Sequence, residues 1–260
     1  MVLQIEDRGR VRVLRMNRPD ALNAMNNELF AALRDALVAA ERDPGVAVVV
    51  LTGAGRAFCA GQDLTEMLAS AGSGGEGDAH QFPSMLEVVA GFAKPLVAAV
   101  NGLGVGIGMT ILAHCDLVLM ADDARLRTPF PQLGLAPEAG SSFTFADRMG
   151  RQHAADVLFS GRWFDAAECL AMGLVWKVCA AERLDAETMA VAEQWAANPI
   201  PSLVATKRLM LDADRRDLAV AAHRREVAAY VDLIGAPANA EAVAAFLDKR
   251  EPDFGSIAGL

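Results

Sequence analysis

The chain has 260 residues, 53% of them hydrophobic, with 33 acidic and 24 basic side chains and a net charge of -9. The apolar fraction excludes disorder, and the length suits one large domain, or one domain with an appendage. A pI near 5.0 argues against a nucleic-acid partner, because no basic excess exists to release phosphate counterions.

The elements follow in chain order. Residues 3–7 and 11–16 read as two short strands around the turn Arg8-Gly9-Arg10. Asn26 or Asn27 caps a helix running to about Arg42, with apolar Leu29, Leu33, Ala36, Leu37 and Ala40 on one face. Residues 46–52 form a continuous β-branched run, as a strand buried on both faces requires. A helix starts near Leu64 and leads into 69–79, rich in Gly, Ser and Ala and expected to be mobile. Residues 80–92 fit a helix, and 96–100 and 117–120 fit buried strands. Beyond about residue 139 the pattern turns helical, over 139–149, 152–160, 185–197, 201–212, 216–233 and 237–249, with a short strand at 175–178. Strand–helix alternation implies an α/β core. No 20–50-residue sequence repeat stands out.

Scarce residues narrow the chemistry. Cys59, Cys115, Cys169 and Cys179 make no C-x-x-C pair, and His80, His114, His153 and His223 are scattered. Zinc, thioredoxin-type chemistry, a disulfide framework and a histidine triad are therefore not supported, and no metal is expected. Each lone histidine reads as structural or solvent-exposed. The N-terminus lacks a signal peptide's apolar core. The uncharged stretch 95–115 carries too many glycines for a membrane span. A cytoplasmic protein without membrane association is expected.

Two segments have the grammar strand, glycine turn, helix. One is Ala57 to Leu64, after the strand at 46–52. The other is Asn101 to Thr110, after the strand at 96–100. Such turns point unpartnered backbone N–H groups outward and can hold an anion, although either is common as plain structure. The spacing is not a dinucleotide fingerprint, since Ile107 stands where a glycine is needed.

Five motifs in this order resemble the crotonase (enoyl-CoA hydratase/isomerase) superfamily. They are N-R-P-D-A-L-N-A at 17–24, A-F-C-A-G-Q-D-L at 57–64, K-P-L-V-A-A-V-N-G at 94–102, C-D-L-V at 115–118 and A-F-L-D-K-R-E-P-D-F at 245–254. The resemblance covers nearly the whole chain. It implies an α/β spiral of β-β-α units over 1–200 and a C-terminal helical oligomerisation region over 201–260. It further implies an acyl-CoA thioester substrate, with coenzyme A part of that substrate and no separate cofactor, and a homotrimer or dimer of trimers. Carried over by position, Gln62 and Ile107 supply the two N–H groups of an oxyanion hole. Ala24, Ala60, Gly61, Gln62, Asp63, Leu64, Ile107 and Phe130 line the substrate. Asp63 reads as a cap or structural acceptor rather than a base.

Hydration in this family uses two carboxylates, at the positions that Thr110 and Phe130 occupy here. Neither residue can serve, which argues against water addition. The segment from Thr128 to Phe145 instead resembles Δ3,Δ2-enoyl-CoA isomerases, whose catalytic base falls on Glu138. A plain first-turn acid at a helix start is the other reading of Glu138. The isomerase resemblance implies that Glu138 takes a C2 proton from a 3-enoyl-CoA and returns it at C4. Burial among Phe130, Leu135 and Phe143 is expected to raise its pKa. Cys59 reads as a small core residue. Lys249 and Arg250 either meet coenzyme A phosphates or form solvated ion pairs.

Overall fold

The structure, a computed structural model, describes residues 1–63, 66, 81–211 and 213–257. The expected helix from Leu64 and the segment 69–79 lie outside the described residues, apart from Glu66. A six-stranded sheet has the order β1-β2-β3-β5-β7-β10, from β1 (Leu3–Arg8), β2 (Val11–Met16), β3 (Val48–Gly53), β5 (Leu96–Val100), β7 (Leu117–Ala121) and β10 (Lys177–Cys179). The β1–β2 pair is an antiparallel hairpin and the other pairs are parallel. A second sheet, β4-β6-β8-β9, uses β4 (Ala57–Cys59), β6 (Leu103–Val105), β8 (Arg125–Arg127) and β9 (Phe164–Asp165).

Three times the chain runs from a strand of the first sheet to the next strand of the second: β3 to β4, β5 to β6, and β7 to β8. The repeat is structural, with no sequence repeat to announce it. All residues of β3 and β5 are buried, which explains their unbroken apolar runs. The second sheet's strands, two or three residues long, are too short to show a period in the sequence.

Helix α1 (Asn27–Arg42) shows how the sequence sets one element. Asn26 Oδ1 accepts from Leu29 N at 3.0 Å, a cap worth about 1 kcal/mol. Leu29, Phe30, Leu33, Ala36, Leu37 and Ala40 are buried on one stripe, the large ones contributing about 1.5–3 kcal/mol each. Past the helix end, buried Lys94 Nζ donates to the carbonyls of Ala40, Asp43 and Val46 at 2.6–2.7 Å, groups that would otherwise lack partners.

After α2 (Phe82–Gly91) and the one-turn α3 (Ile107–Thr110), the chain becomes helical: α4 (Ser141–Met149), α5 (Arg151–Ser160), α6 (Ala166–Ala171), α7 (Leu184–Ala196), α8 (Ile200–Met210), α9 (Ala213–Leu233) and α10 (Pro237–Leu247). The strand expected at 175–178 lies two residues later at its start, and the helix expected from 139 starts at Ser141. Positive φ at Ala139 and Gly140 delays that helix. Helix α7 lies across the six-stranded sheet, while α9 packs on α4 and α10 on the turn at 131–133. No helix of the described residues is long and apolar enough to cross a membrane.

Candidate active site

The two glycine loops lie side by side because β4 pairs with β6 in parallel, Cys59 opposite Gly104. Their backbones nearly touch. A Cβ on Gly108 would sit 2.1 Å from the Cys59 carbonyl oxygen, and one on Gly61 would sit 3.3 Å from Val105 O. Gly61 and Gly106 have φ of 104° and 53°, conformations that L side chains rarely adopt. Ile107, 3% exposed, opens α3, where a first-turn N–H has no intrahelical partner. No hydrogen bond of its N–H to a described residue is seen.

A third segment braces the first loop. Met25 N donates to Gly61 O at 2.8 Å, Asp63 N to Met25 O at 3.0 Å, and Ala60 N to Leu22 O at 3.0 Å. Ala24 is thereby brought beside Ala60, Gly61 and Gln62. Arg18 spans the two segments, donating to the Ala24 carbonyl and pairing with Asp63 Oδ2 at 2.9 Å. Asp63 is thus a structural acceptor. Buried Asn23, at φ 57°, donates to Ala54 O and Ala57 O. Asn101 accepts from Gly53 N and donates to Gly55 O. The asparagines of the motifs therefore hold loop backbone and leave the N–H groups as the chemistry. Leu64 lies outside the described residues. Among the described residues no cluster of His, Cys, Asp and Glu could hold a metal.

Glu138 joins this platform through Thr110. Thr110, fully buried at the end of α3, donates from Oγ1 to Glu138 Oε1 at 2.7 Å. The residue that replaces one expected carboxylate thus touches the remaining one. Burial pushes the Glu138 pKa up to about 8, against the Thr110 hydrogen bond and with the help of the Glu226 charge. The upward direction is the one expected. Phe130 and Leu135 are buried and Phe143 half-buried, but the roles of Thr110 and Glu226 were not foreseen. Nothing in the sequence pattern marks either, since 28 residues separate Thr110 from Glu138 and 86 separate Glu226 from Gly140, which it holds.

The turn after Glu138 is strained and held. Ala139, at φ 62°, adopts a conformation costing about 1–2 kcal/mol outside glycine. His114 Nε2 donates to its carbonyl at 2.8 Å; burial lowers the His114 pKa and keeps the ring neutral. His114 is structural, as expected of a lone histidine. Cys59 is buried and its thiol pushed up to about 12, by burial first and by the Glu138 charge to a lesser degree. It is no nucleophile. Arg250 is committed to Glu241, at 2.5 and 3.0 Å, near the C-terminus.

Glycine loops ending in a helix start, beside a carboxylate whose pKa is raised, suit proton transfer next to a carbonyl. The family model described as enoyl-CoA hydratase/isomerase matches residues 6–257. The chain belongs to the enoyl-CoA hydratase/isomerase family. Within this family it is similar to a probable enoyl-CoA hydratase of Rhizobium meliloti, 34% identical over 97% of both chains. It is also similar to 1,2-epoxyphenylacetyl-CoA isomerase of Escherichia coli, 32% identical over 94% of both. The crystal structure of an enoyl-CoA hydratase/isomerase from Pseudoalteromonas atlantica superposes with TM-score 0.91 at 36% identity, covering 98% of this chain and 100% of that one. The chain is therefore a crotonase-superfamily protein in fold and an enzyme of hydratase/isomerase type.

Proposed function

We propose that this enzyme is an isomerase that moves a double bond from C3 to C2 of an enoyl-CoA thioester. Glu138 takes a proton from C2. Negative charge then collects on the thioester oxygen, between the N–H groups of Gln62 and Ile107. Each such donor, stronger toward the charged state than the neutral one, is worth about 2.7–4 kcal/mol. Protonated Glu138 returns the proton at C4 and yields the 2-trans-enoyl-CoA. A carboxylate whose pKa is raised to about 8 is a stronger base than an exposed one, which suits a weakly acidic C–H. Coenzyme A is part of the substrate, and no separate cofactor is invoked. Ala24, Ala60, Gly61, Asp63, Leu64 and Phe130 are assigned to the substrate's surroundings.

One observation carries the reading: Thr110 stands where hydration would need a carboxylate, and its hydroxyl donates to Glu138. With Phe130 at the other position, neither of the two offers an acid to activate water. The test is conversion of 3-enoyl-CoA, with products separated by chromatography. The wild type should form 2-trans-enoyl-CoA, and Glu138→Gln should lose about 10²–10⁴ in kcat. Equal turnover by the variant, or 3-hydroxyacyl-CoA as the main product, would contradict the proposal. The likeness to a relative named for an epoxide-bearing acyl-CoA favours, as second reading, rearrangement of such a substrate by the same residues.

We further assign self-association, as a trimer or pair of trimers in the cytoplasm, to the helical region 201–260. It exposes Leu209, Met210, Val231 and Leu247, more apolar surface than a monomer's helices usually leave in water. Light scattering on the purified protein should give three or six copies; a monomer would contradict this.

A further inference from the structure

The loop that carries Glu138 is gripped at both ends by the C-terminal helices. At one end, Asn239 of α10 donates from Nδ2 to Leu133 O at 2.8 Å, and its Oδ1 accepts from Gly235 N at 2.9 Å. The chain passes so close that a Cβ on Gly134 would lie 2.7 Å from Asn239 N. At the other end, Glu226 of α9, 5% exposed, accepts from Gly140 N at 2.7 Å and Ser142 N at 2.8 Å. A Cβ on Gly140 would lie 2.7 Å from Ala219 O on the same helix. Glu226 thus takes up N–H groups at the start of α4 that no helical carbonyl can reach. Gly140 N belongs to the same peptide group as the Ala139 carbonyl, which His114 holds from the opposite side.

We propose that α9 and α10 clamp the base loop, and that Glu226 is a positioning residue for Glu138. The assignment rests on the isomerase reading. Two carboxylates serve one turn with separate duties: Glu226, from α9, is spent on its backbone N–H groups, and Glu138 is left to move a proton. Burial works to raise the Glu226 pKa, and the neighbouring His223 ring together with the hydrogen bonds from Ser142 and Gly140 outweighs it, so the Glu226 pKa lies below the ordinary glutamate value. That charge helps hold Glu138 up. The groups facing Glu226 are His223, its Nδ1 3.9 Å away on the same helix, His114, with Arg148 beyond it, and Glu138. Glu138 in turn faces Thr110 and Cys59.

The experiment uses the full-length protein and two variants, Glu226→Gln and Glu226→Asp. The Glu138 carboxyl is titrated by ¹³C NMR on glutamate-labelled protein, its resonance identified by loss in Glu138→Gln. Glu226→Gln should lower kcat for 3-enoyl-CoA about 10- to 100-fold, because the base is misplaced. KM should change little, since binding groups are untouched. The Glu138 titration should move down as the neighbouring charge goes. Glu226→Asp keeps the charge and is too short to bridge both N–H groups, so kcat should fall while the titration stays high. Wild-type kcat in either folded variant, or an unmoved titration in Glu226→Gln, would overturn the assignment. If the wild type fails to isomerise 3-enoyl-CoA, the functional reading falls, while the titration still reports on the clamp.

Discussion

The pair of glycine loops and the loop of Glu138 meet at Thr110, yet different things hold them. In the first, two parallel three-residue strands press glycine against backbone, Gly108 against Cys59 and Gly61 against Val105. In the proposed reaction its chemistry comes from main-chain N–H groups, so the side chain of Gln62 can vary. In the second, the proposed chemistry falls to one side chain, on a strained turn fastened by His114 and Glu226, with Thr110 on the carboxylate. The difference teaches where each half is fragile. The backbone half fails by steric displacement, and the side-chain half by loss of charge or alignment.

After removal of Glu138 itself, the largest expected effect tests the backbone half. Gly108→Ala would drive a Cβ to 2.1 Å from Cys59 O and force the loops apart. We expect kcat to fall about 10²–10³, the value of a lost oxyanion donor. Gln62→Ala keeps its N–H and should stay within about threefold of wild type by the same logic. Steady-state kinetics on the two variants side by side would break the comparison if Gln62→Ala were as damaging as Gly108→Ala.

Thr110→Val tests the side-chain half and should have an intermediate effect. The Thr110 hydrogen bond holds the Glu138 pKa down, so its loss should raise that pKa further. Activity at pH 7 should then fall about tenfold, the equivalent of one hydrogen bond to a charged group. Activity should recover partly at higher pH, and Thr110→Ser should behave as wild type. A pH profile in Thr110→Val that does not move would show that the contact orients nothing.

Legibility in the sequence followed local periodicity. Strand β3 declared itself by a β-branched run and α1 by Asn26 and one apolar stripe, because both are long enough to show a period. The strands Ala57–Cys59 and Leu103–Val105 did not, being three residues each. The glycine loops showed in the sequence by their strand–glycine–helix grammar, whereas Glu138 became legible only through the resemblance of its surroundings. Glu226 stayed invisible. A glutamate on a long helix reads as a solvated face until the fold brings it to Gly140, 86 residues earlier, in the turn after the base.

The central claim is that one enclosed carboxylate, Glu138, is the base. The most direct measurement is kcat/KM for 3-enoyl-CoA as a function of pH, because it reports the free enzyme's essential groups. A base must be ionised to act, so the rate should rise with pH through an inflection near the Glu138 pKa of about 8. The residual rate of Glu138→Gln should lack that inflection. An inflection in the ordinary carboxylate range, or one near 8 that survives in Glu138→Gln, would contradict the account.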